Sequence, residues 1–333
     1  MKDQSVLLWR LLRTCLKGVA VFAWIGSAYS QTSPEFTHIR RLTNNEVSLR
    51  LTGPTGSNYR IDASTNLPIF ESLVTLPRNT GSLQHTDAAA AYLNSRFYRA
   101  LELSGTNLTG DHLVTTNGDV IIHPLYHASF VMSWNGKVIY NDPDDDSQYA
   151  ARYQGLPKAD LVLISHSHGD HYSAGQIAAV RGSNATIIVP RAVYDQSSFA
   201  SLRANAIVLN YGASTNIMGL NVEAVPGYNN NHSFGINNAY VLTIGGKRIF
   251  ISGDTGDTTE IQALSNIDVA FLCMNTPFTM TVSQATNSVR RFRPRIVYPY
   301  HYRNQGGTTT NAAFFKRQLG TDLGIEVRLR NWY

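Results

Sequence analysis

The six residues His166-Ser-His-Gly-Asp-His171 constrain this chain more than any other segment. They follow directly on the apolar run Leu161-Val-Leu-Ile164, which reads as a buried strand. A strand end delivers side chains into a loop held by a rigid scaffold, and chemistry concentrates there. Three imidazoles and a carboxylate in so short a span would leave polar groups unpaired if buried without a cation. Neutral imidazole nitrogens with a hard carboxylate oxygen suit Zn²⁺ and tolerate Mn²⁺ or Fe²⁺. Alternation along the segment puts His166 and His168 on one side, able to share an ion. Asp170 and His171 fall a little further round, where they could serve a second.

One cluster cannot complete two sites, so the fold must bring donors from elsewhere. Only two histidines follow His171 in the chain. His232 sits in the Asn-rich loop Gly227-Tyr-Asn-Asn-Asn-His232, and His301 closes the strand Val297-Tyr-Pro-Tyr-His301. Asp254 ends a further strand, within Ile251-Ser-Gly-Asp-Thr-Gly256, where glycines allow close backbone approach. Asn275, Thr279, Tyr300 and Tyr302 lie near these motifs and are candidate pocket residues. Cys273 ends the apolar run Val269-Ala-Phe-Leu-Cys273 and reads as core.

The elements around these residues alternate between hairpins and helices. Ser129–Ser133 and Lys137–Asn141 flank Asn135-Gly136, and Ala239–Ile244 and Lys247–Ser252 flank Gly245-Gly246; both are hairpin signals. Helices are predicted from Ser173 to Arg181, closed by Gly182, from Ser283 to Phe292, stopped by Pro294, and near Asn311 to Leu319. Strands are predicted at Ile296–Tyr298 and Ile325–Leu329. This order predicts an α+β fold of two sheets covered by helices over residues 112–333. Residues 36–103 read instead as a small all-β sandwich, with Val47, Leu49, Leu51 and then Tyr59, Ile61, Ala63 at a period of two. The polar stretch 104–111 links the two.

The N-terminus is a separate case. Lys2, Arg10, Arg13 and Lys17 precede the apolar run Gly18–Gly26, with small residues at Ala28 and Ser30. That is the layout of a secretory signal peptide over residues 1–30, cleaved after Ala28 or Ser30. Its loss would take four basic residues and Asp3, lowering the formal charge from +5 to +2. The basicity therefore gives no argument for nucleic-acid binding. Cys15 would leave with it, so Cys273 has no intrachain disulfide partner.

The order of the chemical motifs resembles the metallo-β-lactamase superfamily. Asp142 in Tyr140-Asn-Asp-Pro143 matches its early Asp, followed by His166–His171, His232, Asp254 and His301. Gly253-Asp-Thr255, Tyr298-Pro-Tyr-His-Tyr302 and Phe278-Thr-Met280 are most similar to the branch holding ascorbate-phosphate lactonase and N-acyl-phosphatidylethanolamine phospholipase D. The stretch Tyr59–Leu67 with Arg96-Phe-Tyr-Arg99 is similar to exported fibronectin type III modules. The resemblance implies a four-layer αββα sandwich with a metal pair at one edge of the sheets. His166, His168 and His232 would hold one ion, and Asp170, His171 and His301 the other. Asp254 would bridge them, and Asp142 would orient the cluster loop. The chain reads Pro226-Gly-Tyr228 where the family form is Pro-Gly-His. His127 in Tyr126-His-Ala-Ser129 matches a Gly-His-Ala-Ser element, either lining the site or serving structure.

Such a pair lowers the pKa of a bound water toward neutrality, so no serine or cysteine nucleophile is required. Asp170 and Asp254 are the candidate catalytic carboxylates, Asp170 passing a proton to the leaving group. The expected activity is hydrolysis of a small ester, lactone or amide by an exported, periplasmic or extracellular protein. A metallophosphodiesterase of phospholipase D type and a non-catalytic surface-binding protein are the other readings. Membrane contact would arise only from a lipid substrate or an uncleaved leader.

Overall fold

The computed structural model describes residues 34–77, 82–103 and 108–333. The signal peptide expected over residues 1–30 lies outside the described residues, as do residues 104–107 of the expected linker. The chain divides into two compact units, one ending at Val114 and the other running from Thr115 to Tyr333.

The first unit is all β. Its strands are β1 (Glu35–Arg41), β2 (Val47–Thr52), β3 (Asn58–Ser64), β4 (Glu71–Leu76), β5 (Leu83–Asp87), β6 (Phe97–Leu103) and β7 (Gly110–Leu113). One antiparallel sheet has the order β1-β2-β5, and β6-β3-β4-β7 form a second antiparallel run. Val47 and Leu49 of β2 pack against Ile61 and Ala63 of β3 and Tyr98 of β6, so the two layers share one core. The alternation seen in the sequence is the inward face of β2. The arginines of Arg96-Phe-Tyr-Arg99 neutralise buried carboxylates. Arg96 Nε donates to Asp87 at 2.8 Å and Arg99 Nε to Asp62 at 2.8 Å.

In the second unit each sheet begins with antiparallel hairpin strands and continues in parallel through crossovers. The first sheet comprises β8 (Val120–Tyr126), β9 (Ser129–Trp134), β10 (Lys137–Asn141), β11 (Ala159–Leu163), β12 (Arg181–Val189) and β13 (Ala206–Val208), in that spatial order. Helices α1 (Ala174–Val180) and α2 (Arg191–Tyr194) join its parallel strands. The second sheet comprises β14 (Ser214–Ile217), β15 (Leu220–Gly227), β16 (Asn237–Ile244), β17 (Lys247–Ile251), β18 (Val269–Cys273), β19 (Ile296–Tyr300) and β20 (Glu326–Val327), again in order. Its crossovers carry α3 (Thr259–Gln262), α4 (Val282–Phe292) and α5 (Ala312–Leu319).

Aromatic side chains join the sheets face to face. Phe130 of β9 stacks on Phe271 of β18 with centroids 4.1 Å apart, and Trp332 meets both rings edge-on. On the far side of the second sheet Phe250 packs against Phe292 of α4. The layers are therefore αββα. Both predicted hairpins form, with positive φ at Asn135 and Gly136 and at Gly245 and Gly246. These are the conformations that make Asn-Gly and Gly-Gly turns favourable.

Two boundaries differ from expectation, those of α1 and the last strand, while α4 ends at Phe292 as predicted. Gly182 does not cap α1, because the chain turns at Arg181 straight into β12. Gly182 instead permits close strand packing, since a Cβ there would lie 3.0 Å from the Ala159 carbonyl oxygen. Helix α4 starts from a capping box between Thr281 and Gln284 and ends on left-handed Arg293, one residue before Pro294. The last strand pairs only through Glu326 and Val327, not the full stretch to Leu329.

Candidate metal centre

The carboxyl ends of the strands converge along one edge of the second unit, where ligands bind in open α/β sheets. His127 follows β8, Asp142 follows β10, and the His166–His171 loop follows β11. His232 stands between β15 and β16, Asp254 follows β17 and His301 follows β19. The backbone there is forced. His127, Asp142 and His301 all have φ between 40° and 55° despite carrying side chains, as is common where a site over-determines the geometry. Gly253 has a real steric need, since a Cβ would meet the Asn238 carbonyl oxygen at 2.9 Å.

The ring nitrogens face one another in two groups. His168 Nδ1 lies 3.0 Å from His166 Nε2 and 3.2 Å from His232 Nε2. His171 Nε2 lies 2.8 Å from His301 Nε2, and Asp170 Oδ2 is 3.5 Å from the latter. Tetrahedral donors on a common ion, at the usual Zn–N length, stand about 3.3 Å apart. Asp254 lies between the groups. Its Oδ1 is 3.2 Å from both His171 Nε2 and His301 Nε2, and its Oδ2 is 3.4 Å from His232 Nε2. Asp254 Oδ1 is buried without a hydrogen-bond partner. A buried carboxylate oxygen left bare among imidazole nitrogens fits a cation, and this donor set fits zinc.

Hydrogen bonds on the outer nitrogens fix which atom the His166, His171 and His232 rings present. Asp142 accepts from Ser165 N–H and Ser165 Oγ–H, both at 2.7 Å. It also accepts from His171 Nδ1–H at 2.9 Å, which turns Nε2 inward. Ser165 Oγ, its proton spent on Asp142, accepts from His166 Nδ1–H at 3.0 Å. His232 Nδ1–H donates to Asn229 Oδ1 at 3.1 Å. The Asp254 carbonyl is pinned by the Asn237 side-chain amide at 2.7 Å. Asp142→Asn should therefore weaken metal binding about 10–100-fold without unfolding the chain, read by competition with a calibrated chelator. Unchanged affinity would argue against the orienting role.

The electrostatics follow from burial and neighbours. Burial opposes the charge on His171, yet Asp254, Asp170 and the Asp142 hydrogen bond raise its pKa well above the ordinary imidazole value. Burial and His171 push His166 well below it. Burial would raise Asp254 and Asp170, but the surrounding imidazoles hold both well below the usual carboxylate range. His127 is pushed down to about 4 by burial and by His301, against the pull of Asp170. The Cys273 thiol, fully buried, is pushed up to about 11 by burial first and then by Asp254, and it belongs to the core.

A cavity of about 360 Å³ opens beside the centre, lined in part by His127, Asp170, Asp144, Asn275, Phe278 and Arg303. Of the four candidate pocket residues, Asn275 lines it. The others serve the scaffold. Tyr300 is fully buried, its hydroxyl accepting from Gly253 N–H at 3.0 Å. Thr279 closes a turn on Asn275, and Tyr302 packs edge-on against Tyr333. Sequence reasoning missed Ser165, Asp144, Arg303 and Tyr333. Ser165 and Arg303 stand within two residues of motif histidines, and that proximity was the available signal. Tyr333 had none.

Residues 122–301 match the family described as the beta-lactamase superfamily domain. The chain belongs to the metallo-β-lactamase superfamily. A UPF0173 metal-dependent hydrolase of Pyrococcus abyssi is 30% identical over 214 residues, covering 61% of this chain and 93% of the relative. Its counterpart in Pyrococcus horikoshii is 31% identical over 217 residues, with the same coverage of each chain. A solved structure from Parabacteroides distasonis, assigned as a metal-dependent hydrolase, is 38% identical with a TM-score of 0.59. The match covers 67% of this chain and 99% of that one. A metallo hydrolase of Ignicoccus hospitalis shares the fold, with a TM-score of 0.55 at 23% identity over 63% of this chain and 94% of that one. This metallo-β-lactamase superfamily member is thus a metal-dependent hydrolase within the UPF0173 family. Among the described residues, no helix is long and apolar enough to cross a membrane.

Proposed function

We propose that this chain is an exported hydrolase that holds two divalent ions, zinc by donor chemistry, and cleaves a small ester, lactone or amide. The observation that carries the reading is Asp254, whose two oxygens address two separate groups of imidazole nitrogens. His166, His168 and His232 would hold one ion, Asp170, His171 and His301 the other. Bound there, the pair supplies polarisation of a substrate oxygen and a water acidic enough to ionise near neutrality. The chain's own groups do the rest. Asp142 keeps the His171 ring aligned. Asp170, its side chain 45% exposed at the cavity wall, is placed to take a proton from water and return it to the leaving group.

Charge around the cavity favours carboxyl compounds over phosphodiesters. Asp144, Asp145 and Asp146 line the wall along with one cation, Arg303, which already donates to Tyr126. A phosphodiester would bring its negative charge beside Asp145 and Asp146. Asp144 itself is buried, and desolvation raises its pKa to about 7. Kinship to the lactonase and phospholipase branch rests on Gly253-Asp-Thr255 and Tyr298–Tyr302, and the fibronectin type III character of the first unit on its paired sheets and the Arg96–Arg99 motif. Export rests on the basic and apolar leader before Gln31.

Metal analysis of the purified protein, combined with a panel of lactones, esters, amides and bis-ester phosphates, tests the reading. Two equivalents of metal and turnover of carboxyl compounds are expected. Turnover of bis-ester phosphates alone would replace it with the phosphodiesterase reading, and full activity in metal-stripped protein would end it.

A further inference from the structure

His127 stands close enough to Asp170 and His301 to count as a donor in the same cluster. Its hydrogen bonds assign it another task. The Tyr333 hydroxyl accepts from two backbone N–H groups, those of Tyr302 and Arg303, each at 3.0 Å. A phenolic oxygen has two lone pairs, so both are taken. Its proton therefore points to the remaining neighbour, His127 Nδ1, at 2.9 Å. A His127 ring protonated at Nδ1 would demand a third lone pair that Tyr333 lacks. Nδ1 is thus an acceptor, and the ring proton sits on Nε2, 2.9 Å from Asp170 Oδ2. Neither ring nitrogen keeps a free lone pair for an ion.

We propose that Tyr333 and His127 are positioning residues, a hydrogen-bonded chain that aims the Asp170 carboxylate at the second ion, with His127 itself outside the coordination sphere. The proposal rests on the two-ion reading. Asp170 needs such a hold because its side chain is 45% exposed, whereas His171 and His301 are fully enclosed. The same residue steadies His301, whose N–H donates to the His127 carbonyl at 3.0 Å while their rings lie 3.8 Å apart. One tyrosine hydroxyl therefore connects the backbone at residues 302–303 to two of the groups facing the second ion.

Zinc titrations of the full chain, resolved into two binding steps with a competing chelator, test this alongside ¹⁵N NMR of labelled histidines. Tyr333→Phe should weaken the second step about 10–100-fold while shifting the first by less than about threefold. His127→Gln, which still offers an N–H to Asp170 but is a poor ligand, should bind two ions with the second step weakened less than in His127→Ala. The NMR spectrum should show His127 of the zinc-loaded wild type protonated at Nε2 and bare at Nδ1. Loss of an ion from His127→Gln, or a proton on Nδ1, would make His127 a ligand and overturn the proposal. An unaltered second step in Tyr333→Phe would overturn it as well. A wild-type chain that takes up one ion would overturn the two-ion reading, and the positioning role with it.

Discussion

Asp254→Asn is expected to lower kcat/KM by about 10³-fold or more and to leave at most one ion bound. An ion pair supplies several kcal/mol of charge stabilisation at the reacting oxygen, and each 1.36 kcal/mol is a factor of ten. Among the described residues, Asp254 is the one carboxylate whose separate oxygens face both groups, at 3.2 Å and 3.4 Å. An asparagine of the same shape offers one oxygen and one NH₂, so one group of imidazole lone pairs would meet a donor that cannot ligate. The loop itself should survive. Its anchors are the Asn237 and Asn229 side-chain amides on the Asp254 carbonyl, with the Tyr300 hydroxyl on Gly253 N–H, and none uses the carboxylate. Elemental analysis, steady-state kinetics and circular dichroism on the same preparation check the prediction. A folded variant with two ions and near wild-type turnover would remove Asp254 from the centre of the mechanism.

How far the sequence foretold this depends on how local each signal is. The histidine cluster was legible because its donors share six positions after one apolar strand, so no tertiary knowledge was needed. The hairpins were legible because Asn135-Gly136 and Gly245-Gly246 adopt the φ values their residue types favour. His232 and His301 were recoverable as the only later histidines, and Asp254 by its glycine flanks. Their grouping is a tertiary fact set by how the two sheets pack. Tyr300 shows the opposite failure. A strand-end aromatic beside a motif histidine suggested a pocket residue, but β19 runs between β18 and β20 and the Tyr300 ring is fully buried, its hydroxyl held by Gly253 N–H. Tyr333 lies 206 residues from the histidine it touches, a separation that no period of two or 3.6 can report. Gly182 carried a helix-stop signal that was really a packing signal, because both look alike until the neighbouring strand is known.

Stripping the ions should lower the melting temperature of the second unit by about 10 °C at neutral pH, and the gap should widen as pH rises from 6 to 8. An ion present at a thousandfold its Kd stabilises by about 4 kcal/mol, and each kcal/mol moves a domain of this size by about 2–4 °C. The pH dependence follows from His171. Its pKa in the metal-free chain is raised above the ordinary value of 6.5. The stability this brings is therefore complete below about 6.5 and lost as pH climbs through the folded value. Metal-free protein consequently weakens toward alkaline pH. The loaded protein gains in the same range, because an ion facing Asp170, His171 and His301 must displace the His171 proton, and that competition fades as pH rises. Asp170 and Asp254 do not disturb the trend. Their depressed pKa values give a contribution present above the usual carboxylate value and constant from pH 6 to 8. His166 and His232 are lowered, so an ion at the first group releases no proton from them at neutral pH. Titration calorimetry in buffers of different ionisation enthalpy should accordingly show proton release concentrated in one binding step, about one proton from His171 together with what the bound water gives up, and scanning calorimetry with zinc or chelator should show the widening gap. A gap that narrows with pH would mean that His171 is not among the groups the ion displaces protons from, and the second group would have to be redrawn without it.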